Sequence, residues 1–278
     1  MHVKYSIEND RFCISNKPIN FDFSSHNYGH EYFRYIPVGM SLNEANEYLV
    51  HYPYEACIEI TKKCNCKCPI CMSDSSFKND MFLSYDQIIR ILNELPKQIC
   101  RVTFTGGEPT LHPKIKDLII YATEMDYSVV LSSNGTKPII IKDILTNSGK
   151  VVLAISVHGP ESYHDKYVGM KGAFKNALSS IDLAIGLSHY VHVYSTIIQS
   201  NIQHLAELAK IVDELNVKEH RLCMVKKNGR LKEAAVNIEE LRSIFPCLSN
   251  KIRRTFKMKG SPYLFVDVMG NIEVRNAS

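Results

Sequence analysis

Apolar positions run along the middle of the chain in two alternating rhythms. Short apolar runs at 56–61, 101–105, 128–132, 151–157, 190–198 and 220–225 read as strands. Between them lie stretches with apolar residues at helical spacing. The first covers 84–95, with Ile88, Ile89, Ile91, Leu92 and Leu95 along one side, and others cover 115–125, 139–146, 174–185 and 201–215. Between 157 and 174 the pattern reads as a loop. Strands this short and this apolar, each followed by a helix, predict a parallel sheet covered by helices, an α/β fold.

The flanks carry a different pattern. Near the start, 3–7 and 11–15 sit on either side of Asn9-Asp10 and predict a hairpin. Residues 21–37 are aromatic and rich in His and Asn, with no clean period. His26 and His30 read as polar loop residues or as part of a site lining. Ser41-Leu42-Asn43-Glu44 is a capping-box pattern that opens a short helix to about Val50. After the sixth strand come a basic turn, Lys226-Lys227-Asn228-Gly229-Arg230, and helical patterns near 238–245 and 248–257. A hairpin around Met269-Gly270-Asn271 ends the chain. The expected division is an N-terminal extension (1–52), the strand–helix body (53–226) and a C-terminal helix and hairpin segment (227–278).

The chain has 278 residues, 45% hydrophobic and 22% charged, which supports a sizeable core in an ordinary globular protein. A net charge of +4 does not argue for nucleic acid and leaves an anionic substrate open. Nine cysteines are too few and too irregular for a small disulfide scaffold. The first residues lack an apolar signal core, and no apolar run approaches membrane-spanning length. A reducing cytoplasm is the expected compartment.

The sharpest chemistry lies just after the first strand of the body, in Cys64-Asn65-Cys66-Lys67-Cys68-Pro69-Ile70-Cys71. Cys64, Cys68 and Cys71 form a Cys-x-x-x-Cys-x-x-Cys pattern. Soft thiolates this close select iron–sulfur clusters, zinc or copper(I). Three ligands on a four-iron cluster would leave one iron open, as in catalytic metal sites. Cys66 makes four thiols in eight residues, so a four-thiolate zinc site is an alternative, and a metal-free reduced loop is another. Three more segments stand at strand ends. These are Thr105-Gly106-Gly107-Glu108-Pro109, Ser132-Ser133-Asn134-Gly135, and Ser156 with His158 close behind. Two glycines beside a carboxylate let a ligand approach the backbone and meet a hydrogen-bond acceptor. Asn134-Gly135 is also a turn signal, and Asn201 a helix cap. His158 reads either as a proton donor or substrate contact, or as a loop histidine satisfied by backbone.

The cysteine loop, with Asn65 after its first cysteine and Pro69 after its second, resembles the signature of the radical S-adenosylmethionine (SAM) superfamily. Gly106-Gly107-Glu108-Pro109 resembles the same family's Gly-Gly-Glu-Pro motif, and the likeness spans about 54–224. It implies a partial (β/α)6 barrel of the TIM type, with the site at the carboxyl ends of the strands. It also implies one [4Fe–4S] cluster on Cys64, Cys68 and Cys71, with SAM on the open iron and Cys66 as a non-ligand. SAM contacts are implied at Gly106, Gly107, Glu108, Ser133, Asn134, Ser156, Asn201 and Met224, the last on the adenine. By the same resemblance the chain is an oxygen-sensitive radical enzyme that draws an electron from a flavodoxin- or ferredoxin-like donor. It would abstract hydrogen from a peptide or small polar metabolite.

His164-Asp165 with Val168-Gly169 is similar to a segment of relatives that act on peptides or in molybdenum-cofactor biosynthesis, although Lys166 replaces their usual Arg and cannot clamp bidentately. The final hairpin resembles the start of a cysteine-rich C-terminal domain, yet the chain reaches Ser278 without the next cysteine of that domain. A single cluster is therefore expected, in a truncated or minimal relative. A non-catalytic metal-binding barrel and a partner-dependent subunit are the other readings.

Overall fold

The computed structural model describes residues 55–95 and 99–224, Met224 by its backbone alone, together with Val236, Ser243 and Ile244 and the backbone of six flanking strand segments. Three of these segments, β1 (His2–Ser6), β2 (Arg11–Ser15) and β3 (Glu31–Tyr35), form an antiparallel sheet in the order β2-β1-β3. The predicted first hairpin is β1–β2. β3 falls in the aromatic stretch that showed no period. The expected helix to Val50, His26, His30, the basic turn at 226–230 and most of 238–245 lie outside the described residues.

The body follows the predicted order. It runs β4 (Glu55–Thr61), α1 (Tyr85–Glu94), β5 (Arg101–Gly106), α2 (Ile115–Glu124), β6 (Ser128–Ser133), α3 (Pro138–Asn147) and β7 (Val151–Ser156). It continues through α4 (Glu161–Val168), α5 (Ala173–Gly186), β8 (Tyr190–Ile197), α6 (Leu205–Glu214) and β9 (Glu219–Met224). Strands β4 to β9 lie side by side in chain order and all parallel. This is the α/β partial barrel expected of six strand–helix units. No helix among the described residues is long and apolar enough to cross a membrane.

Three elements depart from the sequence expectation. The stretch read as a loop after β7 holds α4, which ends at Gly169 in the left-handed conformation (φ 66°). Its short run of polar and aromatic residues hides the helical period. The helix predicted over 248–257 is instead a strand in its last part. β10 (Arg253–Lys257) pairs parallel with β9 and extends that edge of the sheet. Alternating Thr255 and Phe256 between basic residues fits either state, and the open edge of β9 decides it. Finally, the helix expected directly after Asn201 begins only at Leu205, because 199–204 wind as a 3₁₀ turn. The C-terminal hairpin is present as β11 (Pro262–Val266) and β12 (Ile272–Asn276), with β11 parallel to β4 at the other edge.

One layer of core lies between the sheet and its helices. Ile58 and Ile60 of β4, Phe104 of β5, Leu131 of β6 and Leu153 of β7 meet Leu92, Leu118, Ile141 and Ile181 from the helices. Side chains alternate along a strand, so the intervening residues face the barrel interior. There a small apolar floor of Val130, Val152 and Ala154, with Tyr190 and Tyr194, is bordered by charge. Arg221 of β9 donates to Glu219 at 2.5 Å and to the Tyr194 hydroxyl at 2.7 Å. Thr103 donates to Glu55 at 2.5 Å.

Candidate functional site

The loop that carries the cysteines leaves the carboxyl end of β4 and is fastened on three sides. Its return limb pairs with its own base, as Cys64 N–H donates to the Ser76 carbonyl at 3.1 Å and Ser76 N–H to Lys62 at 3.2 Å. Its middle is tied to the end of α4 by Lys67 N–H on the Val168 carbonyl at 2.8 Å. Gly169 passes 3.1 Å from Lys67 Cβ at the point where a side chain would stand.

The third side is the turn after β5. Gly107 N–H donates to the Thr61 carbonyl at 2.7 Å and Glu108 N–H to the Lys63 carbonyl at 2.8 Å. A Cβ on Gly106 would stand 2.3 Å from the Thr61 oxygen, and one on Gly107 2.2 Å from the Lys63 oxygen. Both glycines are thus required by backbone at the end of β4 and in the loop just beyond it, which the sequence did not reveal.

Glu108 is fully buried and accepts four hydrogen bonds. Its Oε1 takes Thr110 N–H at 3.0 Å, Thr110 hydroxyl at 2.7 Å and Ser133 hydroxyl at 2.8 Å, and its Oε2 takes Asn134 N–H at 2.7 Å. Burial raises its pKa, and these donors work in the opposite direction. Asn134 carries the connection onward to the cysteine loop. Its amide nitrogen donates to Asn65 at 2.9 Å and to Cys66 sulfur at 3.3 Å. Asn65 in turn donates to the Thr136 hydroxyl at 2.7 Å, and that hydroxyl donates to Asn134 at 2.6 Å. One continuous polar network therefore joins Glu108, Ser133 and Asn134 to the thiol loop. Asn65, which follows the first cysteine of the motif, belongs to it, and so does Thr136, which carries no motif role in the sequence. Only the contact across 71 residues exposes Thr136.

The four thiols of the loop differ in setting. Cys64, Cys68 and Cys71 are half-buried, whereas Cys66 is buried against Tyr167, Val168, Ala173 and Ile198. Cys64 sulfur accepts Cys66 N–H at 3.4 Å and Cys71 sulfur accepts Ser75 N–H at 3.4 Å. The Cys66 thiol, donating to Cys64, holds the Cys64 pKa below the ordinary thiol value, while the same bond and burial push Cys66 up. Backbone donors on sulfur favour the thiolate, so the donor set suits a soft metal centre. Among the described residues no three His, Cys, Asp or Glu side chains converge on a point to hold one metal ion. A four-iron cluster does not ask for that convergence, because each thiolate meets a different iron.

The remaining sequence candidates are placed as follows. Ser156 ends β7, half-buried, in register with Tyr194 of β8. Asn201 is wholly buried and used by backbone. It accepts Ile198 N–H at 2.9 Å and donates to the His158 and Thr196 carbonyls at 3.0 and 2.8 Å, joining the ends of β7 and β8. His158 takes Thr196 N–H on Nδ1 at 3.3 Å, and burial, then His164, lowers its pKa to about 3. The backbone-satisfied alternative therefore describes this ring. Met224 ends β9, and its side chain lies outside the described residues. Asp165 caps α5 from a distance, accepting Gly172 and Phe174 N–H at 2.6 and 2.8 Å.

A family model described as the radical SAM superfamily matches residues 58–215. The sporulation killing factor maturation protein SkfB of Bacillus subtilis is 28% identical over 58% of this chain and 40% of its own length. The Fe-coproporphyrin III synthase of Methanosarcina barkeri is 26% identical over 73% of this chain and 52% of its own. The chain thus spans about half the length of these curated relatives. Among solved structures, Streptococcus suis SuiB bound to the precursor peptide SuiA superposes with a TM-score of 0.68 at 14% identity, covering 86% of this chain and 66% of that one. At that identity the likeness speaks for the fold alone.

Proposed function

The chain belongs to the radical SAM superfamily, whose members are enzymes that use a [4Fe–4S] cluster and SAM, and from that premise we propose that it cleaves SAM reductively in order to abstract hydrogen from a peptide or a small polar metabolite. When bound, the cluster and SAM supply a 5′-deoxyadenosyl radical, methionine being the other product of cleavage. The protein's own part is to hold, orient and enclose them. Cys64, Cys68 and Cys71 would hold the cluster. Cys66, buried and bonded to Asn134, is left out of the ligand set.

The observation that carries this reading is the polar network joining the thiol loop to Glu108, Ser133 and Asn134. It fixes three strand ends relative to one another before any ligand arrives, so that a bound molecule meets a preorganised surface. Gly106 and Gly107 bring the backbone of β5 to the same place. In this reading these residues, with Ser156 and Met224, form the SAM cradle, and the buried Asn201 positions the ends of β7 and β8 beside it. The ion pairs Arg101–Glu55 and Arg221–Glu219 lie towards the opposite, amino-terminal ends of the strands, away from this cradle. A peptide substrate is supported by SkfB, a maturation protein, and a small metabolite by the Fe-coproporphyrin III synthase. An external one-electron donor is part of the same proposal.

The test uses anaerobically reconstituted protein with dithionite and SAM, and 5′-deoxyadenosine is measured by mass spectrometry. Product from the native chain and none from the Cys64/Cys68/Cys71→Ala triple variant is the expected result. Tightly held zinc without iron, together with no product, overturns the proposal. Retention of iron by the Cys66→Ala variant checks the ligand assignment independently.

A further inference from the structure

Six large apolar side chains stand exposed among the described residues, and four of them, Met72, Phe77, Met81 and Phe82, fall in the eleven residues 72–82. Exposed apolar residues scattered singly need no explanation, whereas a cluster marks an interaction surface. This cluster is held in place. Lys62 N–H donates to the Met81 carbonyl at 2.9 Å and Leu83 N–H to the Ile60 carbonyl at 3.0 Å. Phe82 forms a bridge with Thr61, and Ser76 with Lys63. Phe77 and Phe82 remain 64% and 52% exposed on this anchored limb. Phe77 lies 5.5 Å beneath the Lys63 ammonium, which also pairs with Asp80.

We propose that this surface docks an acidic electron-carrier protein. The proposal rests on the radical SAM reading above, and three features select the partner. The first is position. Met72 follows Cys71, and Ser75 of the same limb donates to Cys71 sulfur. Electron transfer falls steeply with distance, so a carrier must seat beside the thiol loop. The second is charge. Residues 61–82 hold Lys62, Lys63, Lys67 and Lys78 against only Asp74 and Asp80. Lys62 pairs with Glu59 and Lys63 with Asp80, so the basic rim is carried by Lys67 and Lys78, both exposed. A second copy of this chain would bring the same basic rim and be repelled, whereas an acidic partner is attracted. The third is composition, since aromatic residues and Met are enriched at the centres of such interfaces. In the complex the carrier loses one electron and the cluster gains it, and no atom is exchanged.

The test titrates anaerobically reconstituted holoprotein into labelled flavodoxin, an acidic carrier, and follows anisotropy. Saturable binding is expected, weakening at least about tenfold between roughly 0.05 and 0.5 M salt as screening sets in. Phe77→Ser and Lys78→Glu should each weaken binding about tenfold at low salt, and Ile139→Ser should leave it unchanged. Both patch variants should keep their iron and their dithionite-driven 5′-deoxyadenosine. Absence of binding, or binding indifferent to Phe77→Ser and Lys78→Glu, overturns the docking proposal. If product still forms with dithionite, the reading beneath it stands; if the native holoprotein makes none, that reading fails as well. Self-association by sedimentation that Phe77→Ser abolishes would also overturn the proposal, giving the surface to a second copy.

Discussion

His158 and His164 sit in the body as neutral rings. Their planes stack with centroids 5.8 Å apart, His158 N–H donates to His164 Nδ1 at 3.2 Å, and Tyr167 and Phe174 meet them edge-on. Burial lowers His158 to about 3 and His164 to about 4, in the second case against the pull of Asp165. An unfolded chain takes up a proton on each ring as the pH falls through about 6.5, while the folded protein does so only near those lower values. Stability is therefore complete above the unfolded value and is lost as the pH falls, by up to about 1.4 kcal/mol per pH unit for each ring. Urea midpoints at pH 7, 6 and 5 should show this decline. His164→Gln, which keeps an acceptor for the His158 N–H, should remove about one proton's worth of the slope. An unchanged slope in that variant would mean that His164 is not held neutral.

At the scale of elements, the junction between the end of β4 and the turn after β5 is the most tightly specified. Gly107→Ala places a methyl group 2.2 Å from the Lys63 carbonyl oxygen and 2.6 Å from its carbon. That atom is backbone on a tied loop and cannot swing aside. We expect a loss of at least about 3 kcal/mol, as for other overpacked core sites at the severe end. Gly172 provides the contrast. It has φ 79°, but nothing lies within 4 Å of the place a methyl group would take, so Gly172→Ala should cost only about 1–2 kcal/mol of backbone strain. Thermal unfolding of the two variants separates steric contact from φ preference. The glycine pair was visible in the sequence, but its reason was not, because the crowding atoms come from the end of β4 and the loop beyond it, some forty residues earlier in the chain. The same holds for Asp165, which caps a helix that begins only at Ala173. The periodic elements were readable because each carries its own pattern. α4 and β10 were not, since one is short and polar and the other takes its state from the free edge of β9.

Taken as a whole, the molecule gathers the candidate residues at one end of a parallel sheet whose strands run β10-β9-β8-β7-β6-β5-β4-β11-β12 with β12 reversed. The sequence order of strands and helices was enough to foresee that end, because in a parallel barrel every strand delivers its last residue to the same rim. It was not enough to foresee how unequal the rim is. The side of β4, β5 and β6 is linked by side-chain hydrogen bonds through Glu108, Asn134 and Asn65, while β7 and β8 are joined through Asn201 to backbone carbonyls. Ligand binding to such a rim stabilises the folded state by mass action, about 2.7 kcal/mol at a hundredfold excess over Kd. Local opening at the rim is therefore where the gain should register. Hydrogen exchange on the reconstituted protein, with and without SAM, should show added protection at 61–66, 105–110 and 132–136. The opposite ends of the same strands, near Glu55, Arg101 and Ser128, should change little. Protection spread evenly along the strands would indicate global stabilisation instead of a rim-bound ligand, and protection confined to 156–158 and 196–201 would move SAM to the other side of the barrel.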